Sequence, residues 1–183
     1  MRRYAKKLPT IWLMTDERVS EEALLAVVAR LPKGQGGVVF RHYRTGPAAR
    51  RALFDRVVRI ARRRRLMLML GGTARQAAAW RADGWHGRDA RRGTRPLLHS
   101  APAHDARELA SAGRMRVDLI FLSPLFATRS HPGAAALGCT RFAALARDAR
   151  AAVIALGGVR SAHRRSLRGI GAYGWAAIDG LVR

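Results

Sequence analysis

The chain has 183 residues, 49% of them hydrophobic, with 35 Lys and Arg against 12 Asp and Glu for a formal net charge of +23. That hydrophobic content excludes a disordered chain, and the length fits one domain, taken here as residues 1–183. The single cysteine, Cys139, excludes an internal disulfide framework, and no run approaches the roughly 18 apolar residues of a membrane-spanning helix.

The basic residues 1–7 lead into a short apolar run at 10–14, which meets Asp16, Glu17 and Arg18. No secretory signal is expected from this start, nor a membrane association, and the protein is expected in the cytoplasm.

In chain order, residues 9–14 (Pro-Thr-Ile-Trp-Leu-Met) read as a first strand. Ser20 suits the N-cap of a helix with Glu21 and Glu22 in its first turn, where carboxylates favour the dipole. Leu24, Leu25, Val28 and Leu31 line one face of that helix. Residues 37–41 form the second strand, Pro47 opens a second helix, and Leu53, Val57, Ile60 and Ala61 make its buried stripe. The run 66–70 (Leu-Met-Leu-Met-Leu) is apolar throughout, as expected of a parallel strand covered on both faces. Thr73 caps a third helix carrying Ala77, Ala78 and Trp80.

Residues 84–86 read as a clipped fourth strand, followed by an Arg-rich stretch at 88–95 where a helix is due. Residues 97–100 are a fifth strand, with a helix through Leu109, and residues 117–122 are a sixth. A long loop then runs to about Thr140, ahead of a helix carrying Phe142, Leu145 and Ala146. Residues 152–156 and 174–178 are the seventh and eighth strands. Strands alternating with helices predict an α/β fold with a parallel sheet, satisfied by a barrel or an open doubly wound sheet. Eight strands favour the closed form, a short (β/α)8 TIM barrel with some helices trimmed; about 250 residues is the usual size.

Two segments carry candidate chemistry. Residues 123–133 (Ser-Pro-Leu-Phe-Ala-Thr-Arg-Ser-His-Pro-Gly) begin at the C-terminal end of a strand, the active-site face of a barrel. Thr128 and Ser130 offer hydroxyl donors, and Arg129 and His131 offer positive charge, a set suited to an anion. An ordinary surface loop is the plainer reading, yet loops of this length are uncommon in compact domains. Gly157 and Gly158, at the next strand-to-helix junction, let backbone N–H groups approach a phosphate. With residues 171–178 they mark the junctions after strands seven and eight, where barrels often bind phosphate. No dinucleotide fingerprint, P-loop or nucleophile elbow is present, so no nucleotide cofactor is expected. His86 and His99, within strands, read as structural, and no set of residues has zinc-ligand spacing.

The order Ser-Pro-x-Phe-x-Thr-x-Ser, Ala-Leu-Gly-Gly-Val (155–159) and Gly-Ala-x-Gly-x-Ala-x-Ile (171–178) resembles the thiamine phosphate synthase and thiazole tautomerase family. Residues 8–16, Ala-Asp-Gly-Trp-His at 82–86 and Ala103-His104 resemble further elements of that family. The resemblance implies a transferase of thiamine biosynthesis that joins hydroxymethylpyrimidine pyrophosphate to thiazole phosphate with release of pyrophosphate. It implies Arg41 on pyrophosphate, Ser130 and His131 in the loop over the site, and Thr128, Gly157, Gly158, Ile178 and His104 as substrate-binding residues. It also implies Mg2+. The family's third strand ends in Asn-Asp, where this chain has Gly71 and Gly72, so Asp89 is left as the candidate ligand and metal use is open. Asp179 stands where the synthases place a phosphate-binding serine. The tautomerase branch uses a histidine near Ser123; His131 is eight residues further along, and the synthase pattern fits better, with a tautomerase or a divergent, inactive barrel that binds a phosphorylated heteroaromatic or a polyanion as the alternatives.

The charge admits a second partner class. Residues 62–65 are four arginines at a helix end, and residues 1–7 and 88–95 are also basic. Nonspecific polyanion binding follows from such a field; solvated arginines in an Arg-, Ala- and Gly-rich composition are the plainer reading. A homodimer is one assembly open to such a barrel.

Overall fold

The computed structural model describes residues 8–91, 93, 95–128, 135–178 and 181. Its elements are β1 (Ile11–Met14), α1 (Glu21–Arg30), β2 (Gly36–Phe40), α2 (Pro47–Arg63), β3 (Met67–Gly71), α3 (Ala74–Ala79), β4 (Gly84–His86), β5 (Leu98–Ala103), α4 (Ala106–Arg114), β6 (Leu119–Leu122), α5 (Gly138–Asp148), β7 (Ala152–Ala155), α6 (Arg164–Gly169) and β8 (Gly174–Ala177). The strands close in sequence order into one barrel, every neighbour parallel, with β1 sealing against β8 at Ile11 and Trp175. The (β/α)8 reading therefore holds, and the open sheet is excluded.

Side chains alternate across each strand, so the barrel holds an inner core and an outer one. Trp12, Val39, Met69, Leu98, Phe121 and Ile154 fill the inside. The opposite faces pack against the helices in two clusters. Trp12 is the largest inner plug, with its indole N–H donating to Pro9 O at 2.9 Å. Gly37 on the neighbouring strand makes room for it, since a Cβ there would stand 2.4 Å from the indole ring.

Caps follow the sequence. The hydroxyl of Ser20 accepts from Ala23 N–H, that of Thr73 from Gln76 N–H, and the carboxylate of Asp105 from Glu108 N–H. Three helices end less conventionally. After α2, α3 and α4, the residue that takes the left-handed conformation is an arginine: Arg65 (φ 53°), Arg81 (φ 58°) and Arg116 (φ 53°). Bonds from Leu66 N–H to Ala61 O, Ala82 N–H to Ala77 O and Val117 N–H to Ala112 O close the three turns. Glycine is the usual residue there, and a side chain costs about 1–2 kcal/mol at each.

Several boundaries differ from the sequence reading. The second strand stops at Phe40, one residue before Arg41, because Arg41 N–H turns to the Thr15 hydroxyl and His42 takes a positive φ of 40°. The fifth strand extends to Ala103, where it pairs with Leu122. Trp80 is the C-cap of α3 rather than a helical residue, α4 runs on to Arg114, and α5 begins at Gly138. Among the described residues between β4 and β5 there is no helix. That segment has charge and glycine but no apolar stripe to bury. No helix among the described residues is long and apolar enough to cross a membrane.

Candidate active site

The C-terminal ends of the strands bring Arg41, Gly157, Gly158 and Ile178 to one mouth. Arg41 follows Gly37 and Val39 in the inward alternation of β2, which places it over the barrel axis. Its Nε donates to Thr15 O at 2.8 Å, and its terminal nitrogen lies 3.4 Å from Asp16 Oδ2. Asp16 is shared, since Arg18 grips both its oxygens at 2.8 and 3.0 Å. The hydrogen bonds from Arg18 hold the Asp16 carboxyl at about 2, against the opposing effect of burial. Beside it, Glu17 accepts from the N–H groups of Arg44 and Thr45 and from the Thr45 hydroxyl, which latches the β1 loop to the β2 loop.

His42 is buried, stacked on Phe40 at 4.7 Å, with Nδ1 2.9 Å from the Thr15 hydroxyl. Burial pushes its pKa down. Below Arg41 lies His86, wholly enclosed, with Nδ1 2.9 Å from Ser100 Oγ and its ring edge-on to Phe121. Burial, reinforced by Arg41 and His99, lowers His86 to about 3, so it is neutral at pH 7.

Arg50 is a site residue that the sequence reading does not single out. This buried residue of α2 donates to Arg41 O at 2.8 Å and to Gly71 O at 2.6 Å, and so ties the ends of β2 and β3 together. Its guanidinium lies over Phe40, Tyr43 and Trp80. The sequence holds one signal of it. A cation in the first turn of a helix opposes the dipole and calls for another explanation.

Three strands around the ring, the glycine pair sits at the end of β7. Gly157 and Gly158 have φ of 90° and 66°, and a Cβ on either would stand 2.7 Å from Pro124 Cα or 2.6 Å from Ala127 O. Glycine is required twice over, by conformation and by the close approach of the β6 loop. Leu125 N–H and Phe126 N–H bind Leu156 O and Gly157 O, which pins that loop down. The N–H groups of Gly157 and Gly158 donate to no described residue. Ile178 follows β8 between this turn and β1, packed against the inner core. Thr128 lies half-buried two residues past Phe126. Ser130, His131 and Asp179 lie outside the described residues.

The remaining candidates stand apart. His104, after β5, holds Glu108 with its Nδ1 at 2.7 Å, and Glu108 also receives Arg88. Asp89 accepts from Arg91 N–H within its own loop. Among the described residues no group of three or more His, Cys, Asp or Glu can hold a metal. The positions matched to the family's Asn-Asp have no side chain, and their space is filled. A Cβ on Gly71 would stand 2.6 Å from the Tyr43 hydroxyl, and one on Gly72 would stand 2.4 Å from Gln76 Oε1. The mouth therefore does not fit Mg2+ by these residues.

Residues 11–181 match the thiamine monophosphate synthase family model. The chain belongs to this family. A thiamine-phosphate synthase from Chloroflexus aurantiacus is 29% identical over 158 residues, covering 80% of this chain and 73% of the relative. The fold is shared with thiamine phosphate pyrophosphorylase from Pyrococcus furiosus, with a TM-score of 0.76 and 17% identity over 97% of this chain and 88% of that one. It is also shared with the N-acetylmannosamine-6-phosphate 2-epimerase from Clostridium perfringens, with a TM-score of 0.66 and 10% identity over 94% and 87%. The barrel alone thus does not choose an activity.

Proposed function

We propose that this thiamine monophosphate synthase family member is a transferase that joins hydroxymethylpyrimidine pyrophosphate to thiazole phosphate. The observation that carries the reading is the pair of junctions at one mouth. Arg41 faces the axis at the end of β2, and the N–H groups of Gly157 and Gly158, which donate to no described residue, lie at the end of β7. The first suits a pyrophosphate and the second a single phosphate, which matches the two anionic ends of the two substrates.

Departure of pyrophosphate leaves a pyrimidine carbocation, and the thiazole nitrogen supplies the electron pair of the new C–N bond. Such a step depends on positioning and charge stabilisation. Arg41, oriented by Thr15 and Asp16, neutralises the leaving group. Neutral His86 beneath it keeps a second positive charge away from the carbocation. No role falls to Mg2+ in this scheme, because Gly71, Gly72 and Asp89 do not assemble a metal site.

The test is turnover. Both substrates are mixed with the protein and thiamine phosphate is followed, with Arg41→Ala as the control. Product that disappears in the control supports the reading. A folded protein that forms no product from this pair removes it.

A further inference from the structure

The end of the barrel opposite the mouth is built of arginine. Helices return antiparallel to the strands, so all their C-termini meet at the strand-N-terminal end. Every α-helix except α3 has arginine in its last turn, from Arg30 of α1 to Arg168 of α6. One cation per helix end is accounted for by the dipole.

The dipole does not account for the backbone conformation of three arginines at this end. Arg65, Arg81 and Arg116 stand one residue beyond the C-caps of α2, α3 and α4, in the turns that lead into β3, β4 and β6, and all three are exposed. Each holds a left-handed backbone that glycine would take without strain, as Gly171 does after α6. The same cation recurs in the same unfavourable conformation at three places around one rim. Two carboxylates at this end are engaged by other groups. Asp83 accepts from Leu68 N–H and pairs with Arg62, and Asp118 accepts from His99 N–H. Among the described residues Asp148 is the exposed acid here.

We propose that this rim is a docking surface for nucleic acid, gripped through its phosphates without regard to base sequence. Guanidinium groups match phosphate oxygens two at a time, and a ring of them matches a regularly charged backbone. An anionic bilayer fits less well. The large apolar residues exposed among the described ones are Tyr43, at the mouth, and Tyr173, whose hydroxyl is engaged with Leu8 O, so the described part of the rim offers lipid one partly exposed ring rather than an apolar face. The surface is separate from the mouth and does not depend on which reaction the mouth performs.

The test uses the full chain and a labelled 20-base-pair duplex tracked by fluorescence anisotropy across a salt series. The variant is Arg65→Gly/Arg81→Gly/Arg116→Gly, which removes three cations and three strained backbones together. The expected result has two parts. The variant keeps or raises the melting temperature, and it binds the duplex about ten-fold or more weakly, with the salt slope reduced by roughly 2–3. Arg41→Ala, at the opposite face, binds the duplex as the wild type does. Failure of the wild type to bind the duplex at low salt overturns the proposal. So does unchanged binding by the triple variant, or capture by phosphatidylserine vesicles with the duplex ignored.

Discussion

The Tyr43 hydroxyl stands where a side chain on Gly71 would begin, 2.6 Å from the Cβ position. At the adjoining Gly72, the amide oxygen of Gln76 fills the same role at 2.4 Å. The position of the family's metal-binding carboxylate and the one before it are thus empty of side chain and filled by neighbours.

Pyrophosphate affinity should therefore not require Mg2+. In calorimetry, inorganic pyrophosphate is expected to bind in EDTA and to bind more weakly when excess Mg2+ competes for it. Arg41→Ala should weaken binding roughly 10–100-fold, the range for one hydrogen bond to a charged group. Binding seen only with Mg2+ would show that a metal enters through other residues. As the converse, Gly71→Asn/Gly72→Asp combined with Tyr43→Ala and Gln76→Ala, which clear the space, is expected to gain a Mg2+ binding signal that the wild type lacks.

Arg50 is expected to matter as a positioning residue without touching substrate. Its donors satisfy the carbonyls of Arg41 and Gly71 inside the protein. Arg50→Met keeps most of the packing but strands both acceptors, a loss of about 1–3 kcal/mol for each group left unsatisfied. The melting temperature should fall. Pyrophosphate affinity should fall with it, because the backbone that carries Arg41 is released. Arg50→Lys, which can reach one carbonyl but not fork to two, should recover part of each. A variant with wild-type affinity despite its lower melting temperature would reduce Arg50 to a purely structural role.

The fold is more legible in the sequence than the site, and particular residues show why. Strands buried on both faces read as apolar runs, so Leu68, Ile120 and Ile154 announce their strands without help from partners. The end of β2 is different. Hydrophobic pattern cannot tell that Arg41 N–H leaves the ladder for Thr15, a contact between residues 26 apart. The same holds for Arg50, whose function rests on carbonyls of two other elements. The glycine pair reads as a phosphate turn from local pattern alone. Its second cause, the contact with Pro124 and Ala127, depends on loop packing that no local pattern contains. The arginines at 65, 81 and 116 are visible in the sequence as charge, but their left-handed backbone is not.

Acid stability supplies the last prediction. Asp16 is held at about 2 in the fold against an ordinary value of 3.8, and His86 at about 3 against 6.5. In both cases the unfolded chain binds a proton that the folded chain refuses, so stability must fall as pH falls. The windows differ. The contribution of His86 is complete above about 6.5 and is lost toward 3, whereas that of Asp16 is complete above about 3.8 and is lost toward 2. Chemical denaturation at a series of pH values should therefore show a decline that starts near pH 6.5, well above the carboxylate range. His86→Gln can still bond Ser100 but cannot titrate, and it should lessen the decline between about pH 6.5 and about pH 4, leaving the part that buried His42 contributes and the steeper fall below about pH 4. Asp16→Asn should do the reverse. A wild-type curve that stays level down to about pH 4 would mean that His86 is protonated in the folded barrel, and its assigned neutrality beneath Arg41 would fall with it.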